Sequence, residues 1–227
     1  MHTLRLVTLD LDDTLWAIAP VIARAENVLH GWLTENCPAT ASQFSPQDLR
    51  ALRQDVEKLH PELGDDITAL RRQSILLALQ RGGDDEALAD AAFDAFWSAR
   101  NTVDCFEDVF PALARLKSKF LVAAITNGNA CVKTAGLGEY FDFTLSARDA
   151  GCAKPGREIF RQACKFAGVQ PHETLHAGDD IDCDVRGALA AGMHAAWIHR
   201  DTRVTRLLAP PALTFPDLTA LADHLAA

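Results

Sequence analysis

The sequence lacks several features that would place it in other classes of protein. No apolar run approaches the roughly 18 residues that a membrane-spanning helix needs, and the first carboxylates follow Met1 too closely for a signal peptide. The six cysteines contain no Cys-x-x-Cys pair and no paired spacing typical of a zinc site. Positive charge is scarce, with 22 Lys and Arg against 31 Asp and Glu and a net charge of −9. We therefore expect a cytoplasmic protein that binds neither membranes nor nucleic acid.

The chain does contain enough apolar material for a folded core. Of its 227 residues, 48% are hydrophobic and 23% are charged, which is typical of a globular protein and not of a disordered one. There are no internal repeats and no low-complexity segments. The length fits one domain with an insertion, or two small domains.

Three carboxylates directly follow the first apolar run. Residues 4–9 predict a buried strand of a parallel sheet, and Asp10, Asp12 and Asp13 come next. Because carboxylates this close repel one another, we expect a cation among them, and Mg²⁺ suits the carboxylates and the backbone carbonyl of Asp12. Taken alone, the stretch also fits a solvated turn in which Asp13 or Thr14 caps the next helix.

The composition becomes typical of helices between about Pro20 and Arg100. Apolar residues recur there at helical spacing, and cap and proline signals such as Ser45-Pro46 divide the segment. The pattern predicts four helices, over about 21–37, 46–58, 66–79 and 84–101.

After Phe110, predicted strands and helices alternate. The strands are expected over 120–125, 141–145, 174–177 and 195–198, and the helices over 111–117, 157–167, 184–191 and 218–226, the last after an irregular connection over 201–216. Such alternation predicts a parallel sheet with helices on both faces. In such sheets the chemistry collects at the carboxyl ends of the strands.

Four polar clusters fall at predicted strand ends or in the loops beside them. After the Asp10 cluster comes 126–129 (TNGN), whose hydroxyl and backbone N–H groups suit a phosphate or another oxyanion. Lys154 lies in the loop before a helix, and 178–184 (GDDIDCD) is a second acidic cluster. Each is unremarkable alone, since Thr-Asn-Gly is usually a turn and a lone lysine is usually solvated. Two acidic clusters together need cations, which Lys154 and a metal ion would provide.

In this order, these residues resemble the four motifs of the haloacid dehalogenase superfamily of phosphohydrolases. The matching segments are Asp10-Leu11-Asp12-Asp13-Thr14, Thr126-Asn127, Lys154-Pro155 and Gly178-Asp179-Asp180 through Asp184. The resemblance implies a Rossmann-like three-layer α/β/α core with a parallel sheet, formed by residues 1–16 and 106–227, and an inserted four-helix cap over 17–105. Segments 124–130, 136–141 and 176–180 look like the bacterial branch that dephosphorylates flavin mononucleotide and 5-amino-6-(5-phospho-D-ribitylamino)uracil.

The resemblance also implies roles for individual residues. Asp10 would attack phosphorus to give an aspartyl-phosphate, and Asp12 would act as general acid and then general base. Mg²⁺ would be held by Asp10, the Asp12 carbonyl and Asp179. The phosphoryl oxygens would be bound by Thr126, Asn127 and Lys154, and Asp180 and Asp184 would orient Lys154 or metal-bound water.

The sequence is also compatible with other functions. A 2-haloacid dehalogenase would share the fold and the nucleophile but ordinarily lacks a carboxylate at the position of Asp12. A phosphomutase would share the aspartyl-phosphate, and a non-catalytic binding protein could keep the fold alone. For the phosphatase we expect a small phosphorylated metabolite as partner and a monomer or homodimer. Trp16, Arg71 and Arg72 are candidates for contact with the substrate. Trp16 could stack on a flavin or base or be a buried anchor, and the two arginines could instead be solvated surface residues.

Overall fold

The computed structural model describes residues 4–200 and 213–226. The chain divides into two compact units, one formed by Met1–Ala17 with Asp104–Ala227 and the other by Ile18–Val103. The second unit is thus a continuous insertion into the first. Within the described ranges, no helix combines the length and the apolar character needed to cross a bilayer.

The inserted unit is helical throughout. Its helices are α1 (Ile18–Asn36), α2 (Pro38–Gln43), α3 (Pro46–Leu59), α4 (Ile67–Gly82) and α5 (Ala89–Arg100). Leu29, Leu33, Ile75, Leu79 and Phe96 are buried in its core. The four predicted helices are present, and α2 is an additional short helix, because Pro38 occupies the first turn, where its missing N–H leaves no hydrogen bond unmade.

The other unit is built on one parallel sheet. Its strands are β1 (Leu6–Leu9), β2 (Leu121–Thr126), β3 (Phe143–Ser146), β4 (Thr174–Gly178), β5 (His194–Ile198) and β6 (Thr214–Phe215), in the spatial order β3-β2-β1-β4-β5-β6. All five neighbouring pairs are parallel. All four residues of β1 are buried, since this strand lies inside the sheet.

Helices cover the faces of this sheet. They are α6 (Val109–Lys117), α7 (Ala147–Ala150), α8 (Arg157–Ala167), α9 (Gly187–Ala191) and α10 (Leu218–Ala226). Leu6 and Ile125 pack with Ile159 and Phe160 of α8 on one face. Because side chains alternate along a strand, Val7 and Leu9 point to the opposite face. The predicted Rossmann-like class with a parallel sheet is confirmed.

The structure differs from the predicted elements in a few places. The predicted helix over 184–191 is a π-helical turn, Ile181–Arg186, followed by α9, because the Asp180 side chain accepts the Asp182 and Cys183 N–H groups and begins the turn earlier. Strand β6 and helix α7 were not predicted, since two and four residues are too short to show periodicity. Most of the predicted connection over 201–216 lies outside the described residues.

Candidate active site

A cavity of about 180 Å³ lies at the carboxyl ends of β1, β2 and β4. Neighbouring parallel strands end at the same edge of a sheet, so residues far apart in sequence meet there. The lining contains eight of the predicted site residues, Asp10, Asp12, Thr126, Asn127, Lys154, Asp179, Asp180 and Asp184, together with Gly128 and Cys183. The structure therefore brings the four sequence clusters to one place.

Lys154 is the cation of this cavity, and it is only 5% exposed. Its Nζ donates to Asp10 Oδ1 at 2.5 Å, to Asp184 Oδ1 at 2.6 Å and to the Ile125 carbonyl at 2.9 Å. Burial lowers the pKa of the Lys154 ammonium, but the charges of Asp10 and Asp184 outweigh burial and raise that pKa above its usual value. The ammonium therefore stays charged and fixed beside the predicted nucleophile.

Asp184 is bound on both of its oxygens. Oδ1 accepts from Lys154 and, at 3.0 Å, from His176 Nε2, while Oδ2 accepts the Asp180 N–H at 3.0 Å. Burial raises the pKa of Asp184, yet Lys154 and the His176 hydrogen bond outweigh it and leave the pKa well below the usual range. Gly178 permits this packing, because a Cβ there would lie 2.2 Å from Asp184 Oδ2. Asp184 is thus an ionised anchor for Lys154.

His176 is a part of the site whose role the sequence did not predict. It is fully buried, with Nδ1 2.9 Å from Thr8 Oγ1 and Nε2 facing Asp184. Burial lowers the pKa of His176, so the ring is neutral, Nε2–H donates to Asp184 and Nδ1 accepts from Thr8. A histidine inside a predicted strand is also common in ordinary cores, so only the contacts reveal its role.

Asp10, Asp179 and Asp184 present carboxylate oxygens within 4.8 Å of one another. Burial raises the pKa of Asp10 well above its usual value, helped by the charges of Asp184 and Asp179 and opposed by Lys154. Burial, with the charge of Asp184, also raises the pKa of Asp179 to about 6. The cluster thus holds more negative charge than Lys154 neutralises, in hard oxygen donors that suit a divalent cation. Because both oxygens of Asp184 are already engaged, Asp10 and Asp179 are the better ligands.

Asp12 is oriented by Trp16. The Trp16 indole Nε1–H donates to Asp12 Oδ1 at 2.8 Å, and the tryptophan is fully buried. Trp16 was a candidate for contact with the substrate, but it does not line the cavity. Its buried indole instead donates a hydrogen bond to the predicted general acid. Nearby, Thr14 Oγ1 donates to Asp179 Oδ1 at 3.0 Å.

The loop after β2 holds the loop of Lys154. The Asn127 side chain donates through Nδ2 to the Lys154 carbonyl at 2.9 Å and accepts the Lys154 N–H on Oδ1 at 2.8 Å. Because the Asn127 side chain is engaged in this way, the Asn127 backbone N–H is the group predicted to bind an oxyanion. Thr126 is buried, and its Oγ1 accepts the Gly128 N–H at 2.9 Å.

Arg71 and Arg72, the other substrate candidates, belong to the helical unit. Arg71 is 5% exposed, lies 3.5 Å from Glu26 and stacks over Phe96 at 4.3 Å. Burial lowers the pKa of Arg71 to about 10, against the charge of Glu26. Arg71 is therefore part of a buried ion pair and not a surface ligand. Arg72 is half exposed and pairs with Asp90 at 3.3 Å.

Three comparisons relate the chain to known proteins. A family model described as haloacid dehalogenase-like hydrolase matches residues 4–192. The chain is 39% identical over 196 residues to 5-amino-6-(5-phospho-D-ribitylamino)uracil phosphatase YigB of Escherichia coli, covering 85% of this chain and 82% of that protein. It is 32% identical over 147 residues to a phosphoserine phosphatase of Thermus thermophilus, covering 62% and 59% of the two chains. A crystal structure named as a 2-haloacid dehalogenase from Pseudomonas syringae pv. Tomato superposes with a TM-score of 0.91 at 36% identity, covering 99% of each chain.

Proposed function

The chain belongs to the haloacid dehalogenase-like hydrolases and is a phosphoric monoester hydrolase, and we propose that it is Mg²⁺-dependent and forms an aspartyl-phosphate on Asp10. The observation that carries this proposal is the Asp12 carboxylate, fixed by Trp16 in the same cavity as Asp10. Phosphoryl transfer to an aspartate needs a group that can give and take a proton beside the nucleophile.

The proposed reaction has two displacements at phosphorus. In the first, an Asp10 oxygen bonds to phosphorus while the ester P–O bond breaks, and Asp12 gives its proton to the leaving alkoxide. In the second, Asp12 takes a proton from water as the water oxygen bonds to phosphorus, and the bond from phosphorus to Asp10 breaks. Inorganic phosphate leaves, and both aspartates return to their starting states.

We expect the Thr126 hydroxyl, the Asn127 backbone N–H and the charge of Lys154 to stabilise the phosphoryl oxygens. The three N–H groups of Lys154 already donate to Asp10, Asp184 and the Ile125 carbonyl, so Lys154 would contribute mainly its charge. Lys154 is held by Asp184, Asp10 and the Ile125 carbonyl, so its charge does not have to reorient during the reaction. Hydrolysis of a phosphate monoester needs a barrier reduction on the order of 20 kcal/mol, which no single group supplies. Fixed charges around the phosphoryl group therefore have to act together with the nucleophile and the acid.

Mg²⁺ fits the oxygen donors of this cluster. Asp10 and Asp179 would hold the ion, with the Asp12 carbonyl as the third protein ligand that the family resemblance implies. When bound, Mg²⁺ neutralises the carboxylates and the phosphate, so that an anionic nucleophile can approach an anionic substrate. The raised pKa values of Asp10 and Asp179 are consistent with a cluster that needs this positive charge.

We propose a small phosphorylated metabolite as the substrate. The cavity of about 180 Å³ is below the roughly 300–1,000 Å³ of pockets that enclose a whole ligand, so it fits a phosphoryl group and little more. The rest of the substrate would be recognised by residues outside this cavity. The Escherichia coli relative is named for 5-amino-6-(5-phospho-D-ribitylamino)uracil, and this phosphate and flavin mononucleotide are the first candidates.

A 2-haloacid dehalogenase is the second candidate, because the Pseudomonas syringae structure carries that name at 36% identity. Displacement of halide at carbon needs no proton donor for the leaving group. Asp12, with its dedicated hydrogen bond from Trp16, has no task in that reaction and a clear one in ester hydrolysis. The competent residue at each predicted catalytic position likewise argues against a protein that only binds.

One experiment separates these functions. Phosphate release would be measured with flavin mononucleotide, the ribitylaminouracil phosphate, phosphoglycolate, nucleoside monophosphates and sugar phosphates, in Mg²⁺ or in EDTA, and chloride release with 2-chloropropionate. We expect Mg²⁺-dependent phosphate release with a preference for one of the flavin-related phosphates. Chloride release in EDTA without any phosphatase activity would contradict the proposal, and transfer of phosphate to a sugar hydroxyl would indicate a mutase.

A further inference from the structure

Arg200, two residues after β5, makes four contacts with three residues of the unit that contains the sheet. Its Nε donates to the Thr14 carbonyl at 2.8 Å, and Nη1 and Nη2 donate to the two oxygens of Asp108, each at 2.9 Å. Its guanidinium lies over the Phe106 ring at 4.0 Å. The Arg200 side chain is only 15% exposed, so it joins the loop after β1 to the segment that returns the chain from the helical insertion.

The loop after β1 needs such support. Asp13 has φ of 58°, a left-handed conformation that is uncommon for a residue with a side chain and persists only where its surroundings fix it. The Asp13 N–H donates to the Trp16 carbonyl at 2.8 Å, and the Trp16 indole holds Asp12. Arg200 adds a charged donor to the buried carbonyl of Thr14, between these two contacts.

Thr14 connects this loop to the predicted metal ligand. Its carbonyl accepts from Arg200, and its hydroxyl donates to Asp179 Oδ1 at 3.0 Å. A shift of the Thr14 peptide would therefore move the Asp12 side of the loop and loosen Asp179 at the same time. We propose that Arg200 is a positioning residue. Through the Thr14 carbonyl, it fixes the positions of Asp12 and Asp179 relative to each other across the cavity. This rests on the proposed function, which gives Asp12 the proton transfer and Asp179 the metal.

Only arginine can supply this set of contacts. Its planar guanidinium donates in three fixed directions and still offers a face to Phe106, whereas a lysine ammonium is a single point of charge. Arg200→Lys would therefore keep the charge near Asp108 but lose the Nε contact to Thr14. That makes the lysine variant a test of geometry with charge held constant.

The test compares Arg200→Lys and Arg200→Met with a control, Arg115→Lys. Arg115 pairs with Asp223 at 2.6 Å in the same unit, but this pair is exposed. Steady-state hydrolysis of p-nitrophenyl phosphate would give kcat and KM at saturating Mg²⁺. Binding of Mn²⁺ without substrate would be followed by electron paramagnetic resonance, and folding by circular dichroism and thermal unfolding.

For Arg200→Lys we expect kcat to fall by about 10- to 100-fold, with KM within about threefold of wild type, because a small misplacement of catalytic groups acts on the transition state. We also expect a several-fold weaker Mn²⁺ affinity, and an Arg115→Lys variant that matches wild type. A folded Arg200→Lys with wild-type kcat and Mn²⁺ affinity would overturn the proposal. So would a loss of kcat in both Arg200 variants that equals the loss of folded protein. If wild type released no phosphate, the proposed function would fail, and Mn²⁺ affinity would still test the positioning role.

Discussion

The side chain of Asn127 forms two hydrogen bonds with the backbone of Lys154, one to its carbonyl at 2.9 Å and one from its N–H at 2.8 Å. These bonds tie the turn after β2 to the loop that carries the ammonium. The position of the Lys154 charge is therefore set twice, by its own Nζ contacts and by Asn127.

Asn127→Ala should lower kcat by about 10- to 100-fold, because the Lys154 loop loses its second anchor and a misplaced charge stabilises the transition state less well. Steady-state phosphate release would measure this. Asn36→Ala is the control, since Asn36 also donates its amide to a backbone carbonyl, that of Trp32, but on an exposed helix. Equal activity of Asn127→Ala and wild type would show that Asn127 does not position Lys154.

Asp10→Asn should lower phosphate release by at least about 10³-fold, because the amide cannot serve as the nucleophile. Quenched single-turnover reactions with ³²P-labelled substrate should show acid-stable label on wild-type protein and none on the variant. Asp94→Asn, at an exposed aspartate of α5 in the helical unit, removes the same charge from a residue that does not line the cavity. Turnover by the variant, with deamidation excluded by mass spectrometry, would disprove the covalent scheme.

Trp16→Phe should lower kcat by roughly tenfold and leave KM nearly unchanged, since it removes the hydrogen bond to Asp12 but keeps most of the buried apolar surface. Trp32→Phe in the helical unit is the matched control. A large rise in KM with kcat unchanged would instead favour substrate contact.

Gly178→Ala should destabilise the protein by about 1–3 kcal/mol and abolish activity, because its Cβ would overlap the Asp184 carboxylate that anchors Lys154. Gly31→Ala is the comparison variant, and we expect it to change the stability in the opposite direction. A Cβ at Gly31, inside α1, meets nothing within 4 Å, so alanine should stabilise by about 0.5–1 kcal/mol. Urea denaturation would measure both, and an unchanged Gly178→Ala would contradict the packing described at Asp184.

The Arg200–Asp108 pair should give a pH-dependent part of the stability. Burial raises the pKa of Asp108, but hydrogen bonds from Arg200 and the Leu218 N–H outweigh it and hold the pKa below the usual 3.8. A carboxyl whose folded-state pKa is lowered stabilises the fold above its unfolded pKa and loses that contribution as the pH falls through the folded value. The difference in unfolding free energy between wild type and Asp108→Asn should therefore be largest near neutral pH and shrink below pH 3.8. If the difference in unfolding free energy stayed constant with pH, the charge of Asp108 would not contribute to the stability of the fold.

The individual helices and strands of the core could be predicted because the signals for each of them lie within a short stretch of sequence. Helices α8 and α10 were predicted with the bounds that the structure shows, from apolar spacing and flanking turn residues. Most residues around the cavity could be named because they follow a strand, and parallel strands end together. Lys154 is the exception, since it lies in the loop before α8. The change in composition predicted a helical segment, and the family resemblance implied that this segment is inserted into the core.

The partners of individual side chains could not be predicted. The sequence around Trp16 is compatible both with stacking on a ligand and with burial in the core. Only the three-dimensional position of Asp12 shows that the Trp16 indole is its hydrogen-bond donor. Arg71 looked like a surface residue because its partner, Glu26, lies on another helix. Arg200 follows a strand like many solvated arginines, and nothing in its neighbourhood identifies Asp108 or Thr14 as its acceptors. Such pairings depend on tertiary packing, so the residues next to each side chain in the sequence do not identify its partner.

The placement of β1 inside the sheet affects the order in which the chain can fold as it is synthesised. Leu6 is aligned with Leu121 on one side and with Thr174 on the other, so the first strand has neither neighbour until most of the chain has left the ribosome. The helices of Ile18–Val103 form a contiguous unit with its own core, and contacts that are closer in sequence form sooner. During translation the insertion can therefore fold before β1, the strand that precedes Asp10, can pair with β2 and β4.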